Sequence, residues 1–75
     1  VSELSEKVLK LTFDYIGPAS PAFLERQTTT HMTNLKFVDL EKKHLPELSK
    51  WVNISGSLLI DKARAKELAD KIAML

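Results

Sequence analysis

Leu45-Pro46-Glu47-Leu48-Ser49-Lys50-Trp51-Val52-Asn53-Ile54-Ser55-Gly56-Ser57-Leu58-Leu59-Ile60-Asp61-Lys62 is the stretch on which the fold turns. Pro46 belongs in the first turn of a helix, where its missing N–H costs nothing. Leu45, Leu48, Trp51 and Val52 then recur at helical spacing and predict a buried face. Two continuations are open from there. Asn53-Ile54-Ser55-Gly56-Ser57 can be a break, because Asn tolerates the left-handed conformation and Ser caps helices. Alternatively one helix runs through to Ile60 and Asp61 caps the next. In either case the last helix covers at least 62–74, with Ala65, Leu68, Ala69, Ile72 and Leu75 as its stripe.

Upstream, residues 3–16 predict a helix. Leu4, Val8, Leu11 and Tyr15 mark its face, and Leu9, Phe13 and Ile16 widen it. Ser2 is the expected N-cap, with Glu3 and Glu6 near the positive end of the helix dipole. Gly17-Pro18 is a stop, and Ser20-Pro21 reads as a new N-cap with proline at the first helical position. Ala22, Phe23, Leu24, Gln27 and His31 predict a second helix reaching Met32, weakened by Thr28, Thr29, Thr30 and Thr33. Residues 33–44 have strand-like residues but no partner strand, so a packed connector with a helical turn is expected. The chain is therefore expected to be all-α, a compact bundle of four to five short helices in one domain over residues 1–75.

The chain has 75 residues, which allows one small core and no second domain. It begins at Val1, and at this size it is read as a piece cut from a longer protein rather than a chain that lost its initiator Met. Cysteine is absent, which excludes a disulfide framework and a thiolate metal site. Hydrophobic residues at 44% and charged residues at 28% fit an ordinary globular domain. The longest aliphatic run, Leu58-Leu59-Ile60, is far short of the ~20 apolar residues of a membrane span. The start of the chain lacks the basic and apolar regions of a signal peptide. A cytoplasmic address is the expectation.

Catalytic chemistry finds little support. His31 and His44 are the only histidines, and their separation suits no metal-ligand spacing. The serines at 2, 5, 20, 49, 55 and 57 have no nucleophile elbow around them, and two glycines cannot build a phosphate-cradling loop. No enzyme activity, cofactor, metal or small-molecule substrate is expected. Asn53-Ile54-Ser55 matches a glycosylation acceptor by chance in a chain with no export signal. The net charge is +1, and it slopes only from −1 over residues 1–40 to +2 over residues 41–75. That is too mild for strong nonspecific binding to phosphates.

Two resemblances bear on function. Leu48-Ser49, Val52, Asn53, Ile54, Ser55 and Leu59 resemble a helix-turn-helix over residues 45–62, in which Ser49 admits the second helix and Asn53 makes the turn. Lys62 departs from that family, which usually has an aliphatic residue there. The resemblance implies DNA contact through Lys50, Ser57, Lys62 and Arg64. Asp14-Tyr15-Ile16-Gly17-Pro18, followed by Phe23-Leu24, resembles the opening of small helical modules at the ends of some prokaryotic signalling and regulatory proteins. That implies a module for protein contact, with no active site to carry over. The sequence favours a non-enzymatic protein-interaction or oligomerisation module, with a helix-turn-helix DNA-binding domain as the alternative. The residues expected at the protein contact are Met32, Phe37 and Val38 in the connector, and Ile60 and Met74 off the main stripes.

Overall fold

A computed structural model describes residues 2–75, and among these there is no strand. The chain is all-α. The described residues form four α-helices, with three single 3₁₀ turns between them. They fill a volume of 28 × 22 × 21 Å. None of the helices is long and apolar enough to cross a membrane.

Helix α1 spans Glu3–Ile16, and its ends follow from the sequence. The Ser2 hydroxyl accepts from the Ser5 N–H at 2.9 Å, satisfying one of the free amides of the first turn. The same hydroxyl donates to the Leu40 carbonyl at 3.2 Å, tying this cap to the connector. At the other end Gly17 has φ 77° and ψ −147°, a conformation essentially closed to other residues. The buried face differs from the expected one. Ser5, Val8 and Thr12 form the fully buried line, whereas Leu4, Leu11 and Tyr15 are only partly covered. Small side chains at the centre let neighbouring helices come close, and the larger ones pack at the flanks. Phe13, expected to widen the stripe, is 51% exposed.

A 3₁₀ turn over Gly17–Ala19 leads directly into α2, Ser20–His31. Ser20 is therefore not a cap. It is already helical and buried, and its hydroxyl donates to the Gly17 carbonyl at 2.7 Å. Phe23, Leu24, Gln27 and Thr28 form the buried face of α2. The helix ends where Thr33 and Asn34 both take positive φ, 58° and 57°. Asn tolerates this conformation well, whereas β-branched Thr is strained in it.

The connector holds 3₁₀ turns at Phe37–Asp39 and Lys42–His44. Phe37 and Leu40 plug into the core, and the Phe37 N–H reaches the Glu25 carboxylate at 3.3 Å. At the second turn the Glu41 N–H donates to His44 Nδ1 at 2.8 Å.

Helix α3 spans Leu45–Gly56 and α4 spans Lys62–Ala73. They form the most extensive helix pair in the chain. Ser49 Oγ donates to the Ala69 carbonyl at 2.8 Å, and a Cβ placed on Gly56 would lie 3.5 Å from the Ala65 Cβ. Early α3 thus meets late α4, and late α3 meets early α4, as in an antiparallel hairpin. Leu48, Val52, Leu68 and Ile72 are fully buried along this seam, continuous with Val8 and Leu24. Asp61 caps α4 by accepting from the Arg64 N–H at 3.1 Å.

Candidate interaction surface at the tip of the α3–α4 hairpin

The turn joining α3 to α4 resolves the two continuations open in the sequence. Asn53, Ile54 and Ser55 are helical, so the break falls only at the end of the 53–57 stretch, and the helix does not run on to Ile60. Regular helix stops at Gly56, and the N–H groups of both Leu59 and Ile60 donate to the Gly56 carbonyl at 2.9 Å. Ser55 is held inside the helix by a hydrogen bond from its hydroxyl to Gln27 Oε1 at 2.8 Å. Gln27 completes the bridge with a bond from Nε2 to the Phe23 carbonyl. This tertiary tie outweighs the local preference of Asn and Ser for turns.

The helix-turn-helix pattern over residues 45–62 therefore lacks its turn at Asn53. Ser49 does lie against α4, but in an antiparallel hairpin rather than under a recognition helix. The four residues expected at DNA are spread over different tasks. Lys50 lies over the Trp51 ring at 5.2 Å, and Ser57 donates to the Ile54 carbonyl at 2.8 Å. Arg64 sits over the Tyr15 ring at 4.6 Å, and Lys62 is exposed at the start of α4.

The five residues expected at a protein contact also separate. Met32 and Phe37 are buried in the core and are corrected to structural residues. Both lie where the chain turns back over the bundle, so their apolar surface is consumed in closing it. Val38 and Met74 are exposed, Met74 at 85%, but on the connector and at the end of α4 respectively. Ile60 is partly covered at the hairpin turn.

The apolar group missed in the sequence is at that turn. Leu58 is 84% exposed and Leu59 59%, and Ile54 on the last turn of α3 is also exposed. A signal was available: the α3 stripe ends at Val52 and the α4 stripe begins at Ala65, so Leu58 and Leu59 belong to neither. Beside them runs a groove of about 400 Å³ lined by Asn53, Ile54, Ser57, Lys62 and Lys66. A smaller cleft of about 160 Å³ lies on the α2 side, where Phe23 and Arg26 face Leu58 and Leu59. A larger depression, about 530 Å³, is elsewhere. It is open and mostly polar, between the end of α2 and the start of α3, and includes Asn34, Asp39, His44 and Glu47.

The polar chemistry of the surface is local. Among the described residues no group of three His, Cys, Asp or Glu could hold a metal ion. His31 stacks on Trp51 with ring centroids 4.1 Å apart and planes within 10°. Tyr15 on α1 donates its hydroxyl to the Glu67 carboxylate on α4. That bond, with Lys71 nearby, holds the Glu67 carboxyl below its ordinary range. Tyr15 and then Glu67 hold Lys71 above its ordinary range. This cluster fastens α1 to α4 on an exposed face.

Comparison with family models, with curated proteins and with solved structures returned no match.

Proposed function

We propose that the chain is a non-enzymatic protein-interaction or oligomerisation module of a bacterial or archaeal regulatory or signalling protein, acting in the cytoplasm. The observation that carries this reading is the tip of the α3–α4 hairpin. Ile54, Leu58 and Leu59 are exposed on a hairpin whose inner side is fully packed. Single exposed apolar residues are ordinary, but a group on a rigid element, beside a groove, marks a contact site. The resemblance of residues 14–24 to prokaryotic signalling modules points the same way. Duplex DNA is the weaker reading, because a tip of leucines beside Asp61 meets phosphates poorly.

The test combines sedimentation equilibrium with titration of a synthetic amphipathic helical peptide whose leucine stripe is flanked by glutamine. Self-association or peptide binding is expected, changing little between about 50 and 200 mM salt, because apolar desolvation drives it. Leu58→Ser/Leu59→Ser should abolish it without changing the far-UV spectrum. A monomer that binds no peptide, but binds duplex DNA with a slope of about −0.9 per phosphate in the log–log salt plot, would replace this function with the alternative.

A further inference from the structure

We infer that the occupant of the α3–α4 groove is an amphipathic helix of another protein, with acidic residues on both flanks of its apolar stripe. The inference rests on the interaction function proposed above and names the partner's chemistry.

The shape of the groove comes from the ends of two helices. Asn53 on the last turn of α3 and Ser57 just past its end line one side, and Lys62 and Lys66, one turn apart, line the other from α4. One side of the groove is thus the end of α3 with Ile54, and the other is the first turns of α4. An apolar groove between two helices accepts a side-chain row of a third helix. Leu58 and Leu59 line the separate cleft on the α2 side, which gives the occupant's last apolar side chain a second place to insert.

Charge decides which helix fits. Lys66 pairs with Asp70 at 2.9 Å, and the Asp61 carboxylate caps α4 by accepting from the Arg64 N–H. Arg26 and Lys62 have no ion-pair partner among the described residues. Arg26 lines the α2 cleft together with Leu58 and Leu59, and Lys62 lines the α3–α4 groove. A helix with acids on both flanks satisfies both cations, and such rim charges set partner choice more than raw affinity.

Three other occupants fit less well. A second copy joined by two-fold symmetry would bring the same Arg26 and Lys62 to the same patch, placing like charges around the seam. A bilayer would gain only the side chains of Ile54, Leu58 and Leu59, less apolar surface than the single acyl chain that already gives marginal binding. A nucleic acid would place its phosphates against Leu58 and Leu59.

The experiment titrates the chain with synthetic helical peptides that share one leucine stripe and differ only in flanks of Glu, Gln or Lys. Phosphatidylcholine–phosphatidylserine vesicles are titrated in parallel. The Glu-flanked peptide should bind about tenfold or more tighter than the Lys-flanked one, with Gln between them. Arg26→Glu/Lys62→Glu should reverse that order. Both side chains are exposed, and an acid at position 62 suits the start of α4, so the variant should fold. Reversal of preference cannot come from unfolding. Equal binding of the Glu and Gln peptides, or an order unmoved by the charge reversal, overturns the acidic partner and leaves the interaction function standing. Vesicle binding at concentrations where no peptide binds overturns it in favour of a lipid surface. Self-association through the leucines without peptide binding overturns it in favour of a second copy. A chain that neither binds a peptide nor self-associates removes both the partner and the interaction function.

Discussion

The inner seam of the α3–α4 hairpin and its outer tip are built from the same residue types, a few positions apart, with opposite fates. Leu48, Val52, Leu68 and Ile72 are wholly withdrawn from water, while Ile54, Leu58 and Leu59 stand in it. Hydrophobicity alone does not separate the two sets. Phase does: the seam residues repeat along a helix face that meets other faces, and the tip residues fall on the turn or on the outer side of α3. A seam leucine contributes to stability through the many atoms around it. A tip leucine in the isolated chain contributes almost nothing to stability, so its apolar surface is available to a partner.

The largest difference is expected in unfolding free energy. Leu68→Ala or Leu48→Ala should cost about 2–5 kcal/mol, a large share of the stability of so small a domain. Leu58→Ala should stay within about 0.5 kcal/mol of the wild type. Urea titration followed by circular dichroism checks both. Equal losses at the two sites would erase the distinction.

Trp51 lies between these extremes, and its substitutions sharpen the boundary. It is partly buried, stacked on His31, and its Nε1–H is covered without a hydrogen-bond partner. Trp51→Ala should cost about 2–3 kcal/mol, less than a fully buried tryptophan. Trp51→Phe keeps a ring against His31 and removes the unpaired donor, so it should cost no more than about 1 kcal/mol. If the Phe variant is as unstable as the Ala variant, the indole itself is holding structure that the stack does not explain.

The two glycines should respond with opposite signs. Gly17→Ala forces a side chain into a backbone conformation reserved for glycine and should destabilise by about 1–3 kcal/mol. No crowding is involved, since nothing lies within 4 Å of the added Cβ. Gly56 is helical, and an added Cβ would meet Ala65 at an ordinary 3.5 Å. Gly56→Ala should therefore stabilise by up to about 1 kcal/mol, through a less flexible unfolded chain. Thermal melts of both variants test whether the seam near the tip has slack.

The smallest effect belongs to the Tyr15–Glu67 contact. Because the folded carboxyl titrates below its unfolded value, its contribution is present above the ordinary carboxylate range and is lost as pH falls through the lowered value. The melting difference between wild type and Glu67→Gln should thus be visible at neutral pH and vanish under acid conditions. A difference that grows on acidification would contradict the direction of that shift.

Much of this was legible in the sequence where local chemistry and tertiary packing agree. Ser2 and Gly17 bound α1 as expected, and Ala65, Leu68, Ala69 and Ile72 form the buried face of α4. Legibility failed where a distant partner decides. Ser55 is helical because Gln27 holds it from another helix. Ser5 and Thr12 are buried because α1 needs small residues where its neighbours approach, which no apolar count detects. Phe37 and Leu40 enter the core from a connector with no period to read. The candidate site was missed for a related reason. A helix running on to Ile60 would carry Leu58 and Leu59 within it, and only the position of the turn shows them to be uncovered.

The most direct test of the account is amide chemical-shift mapping of the ¹⁵N-labelled chain during titration with the Glu-flanked peptide. The largest shifts should fall at Arg26, at residues 53–62 and at Lys66, with the connector and the end of α4 unmoved. Shifts centred instead on Val38 or Met74, with Leu58 and Leu59 silent, would contradict the hairpin tip as the interaction surface.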